Sequence, residues 1–384
     1  MKALLWAVVL FGVGGLARLG ASPAAPQAAG DAGPGGGRVR TYYVAAEEVD
    51  WDYAPLNMDM GTGKPFEGVA AAYTQTGPKT IGRVYRKAVY REYTDDTFTT
   101  RTPRAPQDEY MGLLGPTLRA EVGDTIKIVF KNKASRVYSM HPHGVFYEKP
   151  SEGSMYVDNV PHEQKMGSMV PPGGTFTYEW LVPERAGPGP QDPNSIVWLY
   201  HSHVNEYKDI AAGLVGAITV ARRGQTNADG TPKDVDREIF ALFAGFNENQ
   251  SWYAEENIAA HLSAADQRTL NKQDNVHNDL HMYVAFTGKG FAETNFKFSV
   301  NGYLYGNGPA MTMTQGQRVR WYLMDVGDVV NFHTPHWLGH LVTYHNKRTD
   351  VFAMLPAGME TADMMPDAPG KWVLRCQVDD HMQA

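Results

Sequence analysis

Alternation of apolar and polar positions dominates the chain from about Arg38 onward. Runs such as RTYYVAAEEV (40–49), DTIKIVFKN (124–132), GTFTYEWLV (174–182) and SIVWLYHSHV (195–204) carry period-two patches of β-branched and aromatic residues. That is the pattern of strands with one face in a core. Glycine, proline and aspartate separate the runs. HLSAADQRTLNK (261–272) is the clearest helical stretch. The prediction is an all-β protein made of sandwiches.

The pattern then repeats. GPTLRAEVGDTIKIVFKNKASRVYSMHPHG, MVPPGGTFTYEW and IVWLYHSHVNEYKDIAAGLVG occur in that order in the first half. GPAMTMTQGQRVRWYLMDVGDVVNFHTPHWLGH, MLPAGMETADMMPDAPGKW and VLRCQVDDHMQA answer them in the second. Strand, histidine-rich loop, Pro-Gly turn and strand-borne polar cluster recur, so two copies of one β-sandwich account for the order. The polar segment 222–236, RRGQTNADGTPKDVD, reads as the joint, which gives domains at 40–223 and 224–384.

Ahead of them, Lys2, the apolar stretch LLWAVVLFGVGGLA (4–17) and the small residues around Gly20–Ser22 read as a secretory leader over 1–21. A membrane anchor is the rival, which Arg18 directly after the apolar run disfavours. Residues 22–39, rich in Pro, Ala and Gly, read as a flexible linker. The expected location is secreted or periplasmic, with no membrane contact beyond the leader.

Charge acts by exclusion. A net charge of −7 without a basic block argues against nucleic acid or an anionic membrane as partner. The single cysteine, Cys376, has no internal disulfide partner. It is an inert buried thiol, an intermolecular disulfide or a metal ligand.

Context decides among these. Histidines cluster in four elements: HPH (141–143), HSH (201–203), HTPH (333–336) and CQVDDH (376–381). One H-x-H on a strand serves packing as readily as a metal, but four such elements at matching points of a repeat point to metal. Cys376, His333 and His381 supply a thiolate and two imidazoles, the trigonal set of a blue (type 1) copper site. Zinc could use the same atoms but would want a fourth good donor.

The run NFKFSVNGYLYGN…VRWYLMDVGDVVNFHTPHWLGH…PGKWVLRCQVDDHMQA resembles the last domain of the multicopper oxidases of the ceruloplasmin and hephaestin type. RTYYVAAEEVDWDYAP, GPTLRAEVGDTIKIVFKNKASRVYSMHPHGVFY and HSHVNEYKDIAAGLVG resemble their first domain. The resemblance runs from Arg40 onward. It implies two tandem cupredoxin-like Greek-key sandwiches, copper (Cu2+/Cu+) as cofactor and, in the active members, oxidation of ferrous iron by dioxygen. The large clotting cofactors share the fold without that chemistry, so fold alone does not decide function.

By that resemblance His333, Cys376 and His381 match the type 1 ligands and the point of electron entry. The axial methionine would fall five residues beyond His381, past Ala384, which is the expectation for a fragment. His141, His143, His201, His203 and His336 match ligands of the oxygen-reducing type 2/type 3 cluster. Leu338, Arg375 and Gln377 stand where three more histidines belong. Neighbours along a strand face opposite sides; in an active oxidase the residues flanking the cysteine are histidines that carry electrons onward, and here both are replaced. Ser202 stands where the first domain would need a cysteine, so no type 1 site is expected there. Glu293 and Asp380 match two acidic residues of the family's iron site, with surface carboxylates as the plain alternative; Phe298 replaces its histidine. Gly167 and Ser168 replace the paired aspartates of its calcium site.

Three functions follow. One is copper-dependent electron transfer from a small reductant or metal-ion substrate such as ferrous iron. Another is a full oxidase completed by a partner chain, a homotrimer-like assembly or downstream domains. The last is a non-enzymatic copper-binding module. Asn249-Gln-Ser251 is a glycosylation sequon, and the methionines of 362–367 are loop or core residues or cuprous carriers.

Overall fold

The computed structural model describes residues 36–272, 288–327, 332–378 and 381, and the backbone alone of 9–14. Strand β1 is Val9–Gly14. The next nine are β2 (Val39–Asp52), β3 (Val84–Tyr93), β4 (Leu118–Glu121), β5 (Thr125–Asn132), β6 (His141–Pro142), β7 (Phe146–Tyr147), β8 (Thr175–Leu181), β9 (Ser195–His201) and β10 (Val215–Ala221). They form two sheets, ordered β3-β2-β5-β8-β7 and β4-β10-β9-β6. The remainder are β11 (Arg237–Asn247), β12 (Phe296–Val300), β13 (Met311–Thr314), β14 (Val319–Val326), β15 (Pro335–Trp337), β16 (Val342–Tyr344), β17 (Lys347–Thr349), β18 (Met359–Met364) and β19 (Gly370–Cys376). Their sheets are ordered β12-β11-β14-β18-β16-β17 and β13-β1-β19-β15.

The sequence repeat is a topological repeat. β2 runs antiparallel to β3 and parallel to β5, as β11 does to β12 and β14. β6 pairs with β9 as β15 pairs with β19. β10 runs parallel to β4 and antiparallel to β9; β1 has the same two relations to β13 and β19. Val9–Gly14, part of the stretch expected as a leader core, therefore lies in the second sandwich at the place β10 holds in the first.

Alternation sets the faces. In β5, Ile126, Ile128 and Phe130 are fully buried while Lys127 and Lys131 reach outward. β14 is buried along its whole length, because β11 and β18 flank it and β9 of the first sandwich packs on it. The contact carries polar pins. Ser195 Oγ lies 2.6 Å from the Tyr322 hydroxyl, Arg320 Nη1 donates to Ser195 Oγ at 2.7 Å, and the Leu199 N–H donates to Met359 Sδ at 3.1 Å. One apolar cluster runs through both sandwiches, from Tyr53 and Leu199 to Trp321 and Cys376.

The expected 261–272 helix is narrower. It spans Ala264–Thr269, with the Ser263 hydroxyl accepting the Asp266 N–H, which is an N-cap. The chain is extended at Leu262 after a separate helix, Ala254–His261.

Candidate metal centre

β19 ends at Cys376, and the chain returns to His381, whose N–H donates to the Val378 carbonyl at 3.1 Å. His333 enters from the neighbouring loop, which two backbone hydrogen bonds with Met354 fix. All three side chains are buried, and their ligand atoms lie within 4.8 Å of one another. Among the described residues this is the one group of His, Cys, Asp and Glu that meets that spacing. Cys376 Sγ stands 3.5 Å from His381 Nδ1 and accepts the Thr334 N–H at 3.3 Å.

Aromatic rings wall the group. Phe298 stacks on His381 with centroids 4.2 Å apart and 22° between planes, and Phe243 lies 5.7 Å from His333. Burial holds the His333 imidazole far below its ordinary pKa, so it is neutral at physiological pH, and raises the Cys376 thiol. A neutral imidazole is ready to ligate; the thiol must give up its proton to a metal. Soft sulfur with two imidazoles in an apolar pocket fits copper. Bound there, copper supplies one-electron chemistry through the Cu2+/Cu+ couple.

The first sandwich gathers four more imidazoles. His141 on β6 is paired in register with His201 on β9. Gly144 adopts a φ of +75°, and a Cβ there would lie 2.2 Å from the Trp198 ring, so only glycine allows the turn after His143. Ring centroids within the set lie between 5.0 and 5.8 Å apart. Outer contacts aim the rings. His141 Nδ1 donates to the Glu152 carbonyl at 2.6 Å and His201 Nδ1 to the Ser202 carbonyl at 3.0 Å, while His203 Nδ1 meets Ser154 Oγ at 3.0 Å. Such partners fix tautomers and leave Nε2 for a metal. His143 and His201 face each other through Nε2 at 3.0 Å. Burial lowers the pKa of His141 to about 4; it also lowers that of His143, and holds that of His201 well below the ordinary imidazole value. Glu206, which the sequence reading passed over, stands 3.3 Å from His203 Nε2; its i+3 spacing from His203 was the available signal.

His336 is held elsewhere. Nδ1 lies 2.9 Å from Gln377 Oε1, and Nε2 lies 3.5 Å from Asp350. Gln377 Oε1 also accepts Arg375 Nη2 at 2.8 Å. Buried Arg375 brings a permanent positive charge to this face, Leu338 is half-buried, and neither can ligate. These residues do not fit a complete three-copper cluster. Ser202 likewise offers no thiolate: its hydroxyl donates to Asp209 Oδ2 at 2.7 Å and accepts the Ser139 N–H at 3.1 Å.

Glu293 is not a surface carboxylate: it is 2% exposed in the turn Phe291–Thr294, where its Oε1 accepts the Gly288 N–H at 2.6 Å. Asp380 lies outside the described residues. Phe298, at the place of an iron-site histidine, is an interior wall of the cysteine site. Around Gly167 and Ser168, the nearby Glu152 and Asp158 carboxylates are neutralised by Lys149, and Asp158 also by Lys165. The Asn249 amide nitrogen donates to Asn247 Oδ1 and the Ala292 carbonyl, which competes with glycosylation. Met364 is buried and Met365 exposed.

Comparison with known proteins agrees with this chemistry. Two family models, both described as multicopper oxidase, match residues 110–225 and 275–384. The chain is 42% identical over 348 residues to human ferroxidase HEPHL1, covering 90% of this chain and 28% of that protein. Human hephaestin is 39% identical over 351 residues and human ceruloplasmin 37% over 353, each match covering 90% of this chain, with 29% and 32% of those proteins. The chain thus spans about 30% of the length of these relatives. Among solved structures, a multicopper oxidase aligns with TM-score 0.52 at 18% identity, over 91% of this chain and 88% of that one. A blue copper oxidase from Nitrosomonas europaea aligns with TM-score 0.51 at 15% identity, over 90% and 81%. These two support the cupredoxin-like sandwich fold alone. The thiolate–imidazole pocket and the family matches together give the conclusion that the chain belongs to the multicopper oxidase family.

Proposed function

We propose that this chain is a copper-dependent oxidoreductase module that passes electrons through the Cys376, His333 and His381 site. One observation carries the reading: a buried thiol and two buried imidazoles converge within 4.8 Å. His333 and His381 hold the donor geometry in either oxidation state, because backbone bonds and aromatic walls fix both rings; little reorganisation is then needed as charge changes. Phe243 and Phe298 cover the two imidazoles. The Thr334 N–H, donating to Sγ, draws charge from the thiolate and favours the reduced state. A small reductant, ferrous iron included, gives up its electron at the protein surface. Export through the N-terminal leader belongs to the same proposal; among the described residues no helix is long and apolar enough to cross a membrane.

Cys376→Ser tests the reading. Loss of one copper per chain and of donor oxidation supports it; unchanged copper content and turnover overturn it.

A second reading rests on the four imidazoles of the first sandwich, oriented from outside and unexplained by the cysteine site. Here they are half of an oxygen-reducing cluster completed by histidines from a partner chain or further domains. A homotrimer would repeat Leu338, Arg375 and Gln377 at every contact, so the partner must differ. Oxygen consumption that appears only after mixing with such a partner would favour this reading.

A further inference from the structure

Among the described residues, Asp325 is a buried carboxyl beside the cysteine site that the metal-ligand set itself does not use. It lies on β14, fully buried, and neither carboxyl oxygen has a hydrogen-bond partner among the described residues. Its backbone is clamped: the Asp325 N–H donates to the Gly358 carbonyl, and the Ala357 N–H donates to the Asp325 carbonyl, both at 3.0 Å. The side chain therefore cannot swing to solvent. Oδ1 lies 4.0 Å from Nε2 of His333.

A buried carboxyl without partners costs stability, so the position calls for a compensating role. The first sandwich provides an internal control. Nine residues after the turn glycine Gly123 stands Asn132; nine after Gly316 stands Asp325. Asn132 is also fully buried, but its amide donates to the Arg136 and Val170 carbonyls and accepts the Ala134 N–H. There the polar group ties down a loop in a sandwich that has Ser202 in place of a thiolate. In the sandwich with the thiolate, the group is an acid and it faces a histidine instead.

We propose that Asp325 is the positioning residue of His333: its carboxylate takes the Nε2–H, which leaves the lone pair on Nδ1 for the copper shared with Cys376 and His381. At 4.0 Å the contact is longer than a hydrogen bond; a metal on Nδ1 would make the ring N–H more acidic and favour a shorter contact. A carboxylate behind a ligating imidazole fixes the tautomer and strengthens the ligand. Burial alone raises the Asp325 carboxyl to about 8; bound Cu2+ and the imidazole N–H would stabilise its charged form, and that charge would in turn favour Cu2+ over Cu+. The inference rests on the copper reading above and adds a residue to it; zinc held by the same three donors would gain the same support but carry no electron.

The test uses the full chain loaded with copper, with Asp325→Asn and Asp325→Leu. Asparagine keeps the size and one acceptor oxygen but loses the charge; leucine loses both. Three quantities are read: reduction potential by redox titration, copper affinity by competition with a chelator, and the remote-nitrogen signal of the ligating imidazoles by pulsed electron paramagnetic resonance. The potential should rise in both variants. Copper affinity should fall about 10–100-fold in Asp325→Leu and less in Asp325→Asn. The remote-nitrogen signal should change with the partner. If Asp325→Leu does not fold, the potential of Asp325→Asn alone decides. Potential, affinity and remote-nitrogen signal all equal to those of the unaltered chain would overturn the proposal, since a purely structural role moves stability and none of these. Failure of the unaltered chain to bind copper through Cys376 would instead overturn the functional reading.

Discussion

Phe298→Ala removes the wall of the cysteine site without touching a donor. The ring is 2% exposed. It stacks on His381 at 4.2 Å, packs on Phe296 at 4.9 Å and presents its edge to His333 at 6.4 Å. A buried Phe→Ala change costs about 3–5 kcal/mol, because transfer and cavity terms add. Of that, about 0.5–1.5 kcal/mol belongs to each stacked aromatic pair. The upper half of the range applies, because β12 is buried along its length and cannot collapse into the void. Urea unfolding of the copper-free chain should therefore show a lower midpoint with an unchanged slope. The copper-loaded variant should keep its thiolate-to-copper absorption, since all three donors remain, while a chelator strips the metal faster through the opened wall. A loss below about 1 kcal/mol, or an unchanged stripping rate, would refute the claim that this ring seals the site.

Copper binding should release a proton. Burial raises the Cys376 thiol above 9.0, so it is protonated at neutral pH; His333, held far below 6.5, contributes no proton above pH 6.5. Apparent affinity should rise about tenfold per pH unit below the thiol pKa, checked by calorimetry in buffers of different ionisation enthalpy. Ser202→Cys should produce no blue absorption, because position 202 is bound to Asp209 and Ser139.

The strand plan was legible because strands such as β5 alternate a buried and an outer face, and both halves write the same order of strand, loop and turn. Cys376, His333 and His381 were legible because a lone cysteine beside a histidine, with a second histidine-rich loop upstream, has few other uses. Asp325 was not. It is one of 42 acidic residues, and its burial comes from β14 being covered by β11, β18 and β9 together, which no local pattern encodes. Glu293 misled for the same reason: the turn Phe291–Thr294 points inward, and the Gly288 N–H meets the carboxylate there. The apolar stretch 4–17 reads as a leader by hydropathy alone; pairing of its Val9–Gly14 part with β13 and β19 depends on strands at the far end of the chain. The split of the 261–272 helix turned on a single cap, Ser263.

Copper per chain, measured by elemental analysis on metal-loaded protein alongside Cys376→Ser, tests the central claim most directly. The account predicts about one to two coppers, one of them lost with the cysteine. About four coppers in the unaltered chain would mean that Leu338, Arg375 and Gln377 do not break the cluster, and would contradict the account.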